Sequence, residues 1–423
     1  MVVRRGPLNI RSLAIINMFK LFRAYSGDPI LSLLPRFQND PRPEKINLGI
    51  GLYFDETGVV PILDSVRQML ATRGEPVVDL SYLPMAGDTA YRQVVQELLF
   101  GQTAECIQNR RVSTIQTLGG TGGLKVGADV LHHNFPTAEV WICDPTWDNH
   151  VSIFAGAGFQ VHRYPYFDAA NGCVDFAALS ETLSGVSPHS VVLFHACCHN
   201  PTGADLSHPQ WDALIEIIGA QRLIPFFDFA YQGFGQGLDE DCYAIRAMAN
   251  AGISFLVANS FSKNFGLYGE RCGALSFVCQ DASEAECARG QMELAVRQNY
   301  SSPPRHGARI ITGVLKDALL RKCWTQEVEA MRLRLATLRQ GLYTALQQRS
   351  PEQDFSYLLK QAGMFCFIGL NQAMVEELRE RFAIYAIGNG RLCLAGLRHN
   401  AIEYVAKAII EVSRPSPLNQ KFA

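Results

Sequence analysis

Ala258-Asn259-Ser260-Phe261-Ser262-Lys263-Asn264-Phe265-Gly266-Leu267-Tyr268-Gly269-Glu270-Arg271 runs between two short apolar stretches. Ile253-Ser254-Phe255-Leu256-Val257-Ala258 precedes it and Gly273-Ala274-Leu275-Ser276-Phe277-Val278 follows. Each is bounded by polar residues or glycine and reads as a buried strand. Lys263 is therefore expected on a tight loop between two core strands, with Ser260, Ser262 and Arg271 beside it. Hydroxyls and a guanidinium bind phosphate. A lysine held near another cation loses proton affinity and becomes a nucleophilic amine. An ordinary lysine on a solvated loop accounts for this stretch equally well by itself.

Working outward, strand-like runs end in polar clusters. Val112-Ser113-Thr114-Ile115-Gln116-Thr117-Leu118 runs into Gly119-Gly120-Thr121-Gly122-Gly123, then into a helical pattern from Leu124. Free amides at that helix start, with the Thr121 hydroxyl, make a phosphate cradle. The spacing is neither that of a P-loop nor that of a dinucleotide fingerprint. Val140-Trp141-Ile142-Cys143 leads to Trp147 and His150; Gln160 to Tyr166 is a further strand. Val191-Val192-Leu193-Phe194-His195 leads to Asn200-Pro201-Thr202-Gly203, and Leu223 to Asp228 leads to Tyr231. This alternation predicts an α/β fold with a mostly parallel sheet, ligands sitting beyond the carboxyl ends of the strands. Trp147, Asn200, Asp228, Tyr231 and Lys263 all fall there. Asp228 ends an almost wholly apolar strand, so its carboxylate needs a cationic partner. A lysine able to form a Schiff base, an anion site and a carboxylate for a protonated pyridine together suggest pyridoxal phosphate.

Composition sets limits. A chain of 423 residues exceeds what one core usually organises, so two domains are expected. A net charge of −2 without a basic arm argues against nucleic acid, and no apolar run is long enough for a membrane span. Twelve cysteines without regular spacing read as reduced cytosolic thiols. In His195-Ala196-Cys197-Cys198-His199, adjacent cysteines point to opposite faces of an extended chain, so no metal is expected. Residues 1–17 carry Arg4, Arg5 and Arg11 with no acid before Asp28. Asn17 interrupts their short apolar run and no small-residue cleavage site follows, so a translation start at Met18 fits better than a targeting peptide. Asp28-Pro29 followed by Ile30, Leu31, Leu33, Leu34 and Phe37 predicts a capped amphipathic helix.

Asn200-Pro201-Thr202-Gly203, Asp228-Phe229-Ala230-Tyr231-Gln232-Gly233, Ser260-Phe261-Ser262-Lys263 with Leu267-Tyr268-Gly269-Glu270-Arg271, and Asn299-Tyr300-Ser301-Ser302-Pro303-Pro304 carry a resemblance. From about Met18 to Val412 the chain resembles the fold-type I, pyridoxal-phosphate-dependent aminotransferases. Within them it is similar to the aspartate and aromatic amino acid aminotransferases, most of all the bacterial aromatic (tyrosine) type. Cys272 departs from the usual aliphatic residue, and both termini exceed the family's length.

The resemblance implies a large domain with a mostly parallel seven-stranded sheet and a smaller α+β domain. Residues 1–17 would be an extension without a fold role, 18–57 an N-terminal segment and part of the small domain, and 58–330 the cofactor domain. Residues 331–412 would complete the small domain and 413–423 form a tail, with a helix from Trp324 to Leu346, apolar at Val328, Met331, Leu333 and Leu338, bridging the two. It implies that Lys263 forms the internal aldimine and shuttles the proton, that Asp228 keeps the pyridine nitrogen protonated, and that Tyr231 and Asn200 bond the phenolate oxygen. Trp147 would stack on the ring, with His150 and His195 behind it, where a purely structural role fits those histidines equally. Gly120, Thr121, Ser260, Ser262 and Arg271 match phosphate ligands. Tyr82 matches a tyrosine reaching the phosphate from the other subunit of a homodimer. Arg391 matches the clamp on the substrate α-carboxylate, Gly51 the backbone closing over it, and Arg297 the partner-borne arginine for a distal carboxylate. Without the family, Arg297 reads as a helix-surface residue. Implied is a cytoplasmic transaminase for aromatic and dicarboxylic amino acids; Ser302, where aspartate-selective relatives commonly carry asparagine, favours the aromatic type over an aspartate aminotransferase. A regulator of this fold would lose a reactive residue or add a DNA-binding module, and this chain does neither.

Overall fold

The computed structural model describes residues 19, 22, 27–28, 32–71 and 81–414; the expectations for residues 1–17 and for Ile30 and Leu31 lie outside them. Seven strands form the central sheet: β1 (Val112–Leu118), β2 (Val140–Asp144), β3 (Val161–Pro165), β4 (Val191–His195), β5 (Ile224–Phe229), β6 (Phe255–Ser260) and β7 (Cys272–Val278). Their order is β1-β7-β6-β5-β4-β2-β3. All neighbours are parallel except β7, which runs antiparallel to both β1 and β6.

Parallel strands covered on both faces need continuous apolar runs. β4 is buried throughout, and β5 buries Phe226, Phe227 and Phe229. Each such phenylalanine contributes roughly 1.5–3 kcal/mol by leaving water. Register places the functional ends side by side: His195 opposite Asp228, Asp228 opposite Ala258, and Gly273 opposite Ser260.

Helix α1 (Leu33–Asn39) starts later than the cap at Asp28 predicts; the Asp28 carbonyl instead accepts the Ser32 N–H at 2.9 Å. Helix α2 spans Gly119–Asn134. The glycine run expected as a loop before Leu124 is thus its first turn. A side chain at Gly127 would meet the Phe226 ring at 2.5 Å, so close packing on the sheet outweighs the poor helix propensity of glycine. Helix α3 (Asn149–Gly156) follows β2, and α4 (Ala282–Asn299) follows β7.

Helix α5 runs over Ala318–Arg349, because the Asp317 carboxylate accepts the N–H groups of Leu319 and Leu320 at 2.9 Å and starts it before Trp324. It buries Trp324, Val328, Met331, Leu335, Leu338 and Leu342, whereas Leu333, expected on the apolar face, is exposed. A C-terminal layer packs on α5 through α6 (Ile402–Ser413) and includes the antiparallel pair β8 (Phe365–Phe367) and β9 (Arg391–Cys393). β9 ends at Cys393, and Leu394–Gly396 is a 3₁₀ turn. Ile46–Asn47 adds in parallel to Ile384–Tyr385, tying the N-terminal segment to this layer. All twelve cysteines are free, and only Cys287 is exposed. No helix among the described residues is long and apolar enough to cross a membrane.

Candidate active site

At the carboxyl ends of β4, β5 and β6, between the sheet and the C-terminal layer, lies a cavity of about 280 Å³. Lys263, Asp228, Tyr231, Asn200, Trp147 and Arg391 line it; so do Gly51, Gly120, Thr121, Ser260, Ser262 and Arg271. Tyr82 and Arg297 do not. Tyr82 is 93% exposed, and Arg297 projects from the last turn of α4, where its guanidinium bonds the Ser301 hydroxyl.

Lys263 sits just past β6. Its ammonium group stands 4.7 Å from the Tyr231 ring centroid and has no hydrogen bond or ion pair among the described residues. Burial lowers its pKa to about 8, Asp228 opposes, and the Arg271 and Arg391 charges add to the lowering. Burial by itself would raise the Asp228 carboxyl. The His150 hydrogen bond and the Lys263 charge outweigh that and hold it below its ordinary value. His150, on α3, joins Asp228 Oδ2 at 2.9 Å through Nε2 and the Thr146 hydroxyl at 2.8 Å through Nδ1. His195 is pushed down to about 3, first by burial and then by His150, so it stays neutral and leaves Nε2 unpartnered. The Tyr231 hydroxyl is raised by burial, partly offset by Arg391, and therefore remains a proton donor.

Two corners, each carrying a guanidinium, flank the lysine. At one, Gly119 opens α2 with φ +71°, and a side chain there would meet the Arg271 guanidinium at 2.8 Å. The glycine thus leaves room for Arg271 beside the first turn of the helix, whose Gly119 N–H donates to the Arg271 carbonyl at 3.0 Å. Ser260 and Ser262 hydroxyls, 3.1 Å apart, complete this corner. At the other, Arg391 donates to the Asn200 side-chain oxygen at 3.1 Å and to the Gly49 carbonyl at 2.7 Å, while its buried Nε has no partner among the described residues. The Phe365 ring lies under it, 4.4 Å from the guanidinium carbon.

The sequence profile of the family "Aminotransferase class I and II" matches residues 43–409. The chain belongs to this family. It is 52% identical over 396 residues to the aromatic-amino-acid aminotransferase of Escherichia coli K12, covering 93% of this chain and 100% of that one. The aspartate aminotransferase of the same strain is 44% identical over 395 residues, with 93% and 100% covered. A crystal structure of the aromatic-amino-acid aminotransferase of Burkholderia pseudomallei, covalently bound to pyridoxal phosphate, superposes with a TM-score of 0.92. It is 44% identical, with 94% of this chain and 100% of that one covered.

For an aminotransferase the cavity also holds side chains the sequence did not single out. Phe365 comes from a short strand with no motif of its own. Tyr268 was quoted only within a motif; its hydroxyl accepts the Tyr53 N–H at 2.8 Å. Behind the cavity, Thr146 supports the His150 ring and belongs to no motif.

Among the described residues, three groupings bring possible metal-ligand atoms within 4.8 Å: Cys143–His195–His199, His150–His195–Asp228 and Cys197–Cys198–Asp241. Most of these atoms already serve the fold. His199 reaches Cys143 Sγ at 3.1 Å and the Thr202 hydroxyl at 2.8 Å, and the Asp241 carboxylate accepts N–H groups of Gly233, Gly235 and Gln236. Burial pushes the Cys143 and Cys198 thiols up to about 12, away from the thiolate that a metal requires.

Proposed function

We propose that this aminotransferase uses pyridoxal phosphate to move the amino group of aromatic amino acids (tyrosine, phenylalanine) and dicarboxylic ones (aspartate, glutamate) to 2-oxo acids such as 2-oxoglutarate, in two half-reactions. The observation that carries this reading is one cavity holding a depressed amine, an ionised carboxylate and two separate guanidiniums. Among the described residues Lys263 has no polar partner and Arg391 has a buried Nε without one, and Cβ atoms at Gly119 and Gly120 would crowd Arg271 and Ser260. These features fit a phosphorylated aldehyde at one end and a carboxylate at the other.

Pyridoxal phosphate, when bound, supplies a carbonyl for the amino group and a ring that withdraws electrons from the α-carbon. Asp228, kept ionised by His150, would hold a proton on the ring nitrogen. Lys263 would carry the cofactor covalently and, as a neutral amine, take the α-proton at Nζ and return it. Tyr231, kept protonated, would donate to the ring oxygen, and so would the amide nitrogen of Asn200, whose oxygen is engaged by Arg391. Gly120, Thr121, Ser260, Ser262 and Arg271 would bind the phosphate, and Trp147 would cover the ring. Arg391 would clamp the α-carboxylate by a fork of hydrogen bonds while Gly51 closes over it.

Tyr82 and Arg297 stand outside their own cavity, which supports a homodimer in which each serves the other subunit's site. Residues 58–330 would form the cofactor domain, with 18–57 and 331–412 as the small domain whose closure excludes water. The working compartment would be the cytoplasm. Ser302 supports aromatic side chains over an enzyme with aspartate as its main donor. Comparing tyrosine, phenylalanine and aspartate as donors with 2-oxoglutarate separates the two. Lys263→Ala should still take up pyridoxal phosphate but lose turnover; near-native transamination would overturn the assignment.

A further inference from the structure

Asn200 faces the cavity from residues 197–203, and the conformation of that segment is held from behind. Cys198 has φ +52°, a left-handed conformation that is strained for a non-glycine residue. Something must over-determine it. The Asp205 carboxylate does so: Oδ2 accepts the Cys198 N–H at 2.7 Å and Oδ1 the His199 N–H at 2.8 Å. Both residues are buried, so without these acceptors two enclosed N–H groups would stand unpaired.

The other contacts of the segment constrain different atoms. Thr202 and Cys143 hold the His199 ring, and Tyr166 stacks on it at 4.0 Å. The Gly203 carbonyl accepts the Ala362 N–H at 2.7 Å. A side chain at Gly363 would collide with Cys198 Cβ at 2.5 Å, so the C-terminal layer presses directly on the left-handed residue. Arg339, on α5, donates to the Gly363 and Phe365 carbonyls at 2.8 and 2.9 Å, and Phe365 lies under Arg391. The segment that backs the Asn200 loop is therefore the one that supports its partner arginine.

From this geometry we infer that Asp205 is a positioning residue for Asn200: by gripping the two amides before it, the carboxylate sets where the Asn200 side chain meets Arg391 and the cofactor's ring oxygen. The inference rests on the proposed function, which supplies the role of Asn200. Asp205 itself does not line the cavity, so its effect passes wholly through the backbone it holds.

A double-mutant cycle on the holoenzyme tests it, with Asp205→Asn, Asn200→Ala and the pair. Two quantities are read: the dissociation constant of 3-phenylpropionate, a carboxylate probe without an amino group, and the pH at which the bound cofactor's visible absorbance changes. Asp205→Asn should weaken the probe about tenfold and shift the absorbance transition, yet change either by less than about twofold where Asn200 is already alanine. Asp205→Glu, which keeps the charge but displaces both acceptor oxygens, should behave like Asp205→Asn and serves if that variant is not recovered. Equal effects in both backgrounds, no effect in either, or failure of both variants to fold would overturn the inference. A wild-type protein that shows no cofactor absorbance would instead overturn the proposed function.

Discussion

An amine with a pKa of about 8 exists as comparable neutral and protonated populations in mildly alkaline solution, so Lys263 can take and return a proton without a large penalty either way. The two guanidiniums differ in setting. Arg391 is buried and fixed by Asn200 and Gly49, whereas Arg297 is exposed on a flexible stem. A fixed fork suits the α-carboxylate common to every substrate. A mobile one can pair with a distal carboxylate or swing away, so that an aromatic ring meets no unpaired charge. Arg297→Leu should therefore slow the half-reactions with aspartate, glutamate and 2-oxoglutarate by a few kcal/mol in transition-state terms, leaving phenylalanine nearly unchanged. Arg391→Leu should slow all of them. Single-turnover absorbance of each half-reaction makes the comparison, and equal losses for phenylalanine and aspartate in Arg297→Leu would show that Arg297 does not select the side chain.

Asp205 offers a second test at this scale. Burial pushes its carboxyl up to about 6 from 3.8, against the lowering by its two N–H donors. The folded state thus holds a proton that the unfolded chain releases earlier, so this contribution to stability is present at low pH and lost as pH rises from about 4 to about 6. Across that window the wild type should lose up to about 3 kcal/mol relative to Asp205→Asn, less any solvent screening of this partly exposed group. Urea unfolding at several pH values measures the difference, and parallel pH profiles for the two proteins would refute it.

At the scale of elements, the sheet was legible because its strands are continuous apolar runs that no solvated segment would carry, and their polar ends marked the cavity. What was lost had physical causes. Glycines at 119–123 argued against helix by propensity, yet their fit against the sheet decided the matter. Leu333 looked like part of an apolar stripe, but α5 turns it to solvent and uses Leu335 instead. Phe365 and Asp205 carry no local signal, since each gains its place from contacts with distant segments. Twelve residues of the cavity lining were recoverable from motifs and the resemblance they carry, while Phe365 in the same lining and the support behind it were not.

At the scale of the whole molecule, Tyr82 and Arg297 make the assembly testable. Mixing Lys263→Ala subunits with Tyr82→Phe or Arg297→Ala subunits should restore some activity, because one site of the mixed dimer then has an intact lysine and intact partner residues. If subunits exchange and no activity returns, the sites are not shared.

The distribution of sulfur has a practical consequence. With eleven thiols buried or half-buried and Cys287 alone exposed, the folded protein already carries its own attachment point. A thiol-reactive dye under native conditions should label about one equivalent quickly, with the remainder reacting only on unfolding. Rapid modification of several equivalents would contradict the packing. Because Cys287 lies on α4, ten residues before Arg297 and so about 15 Å from it along the axis, a fluorophore there would sit on the helix that carries Arg297 without altering the sequence.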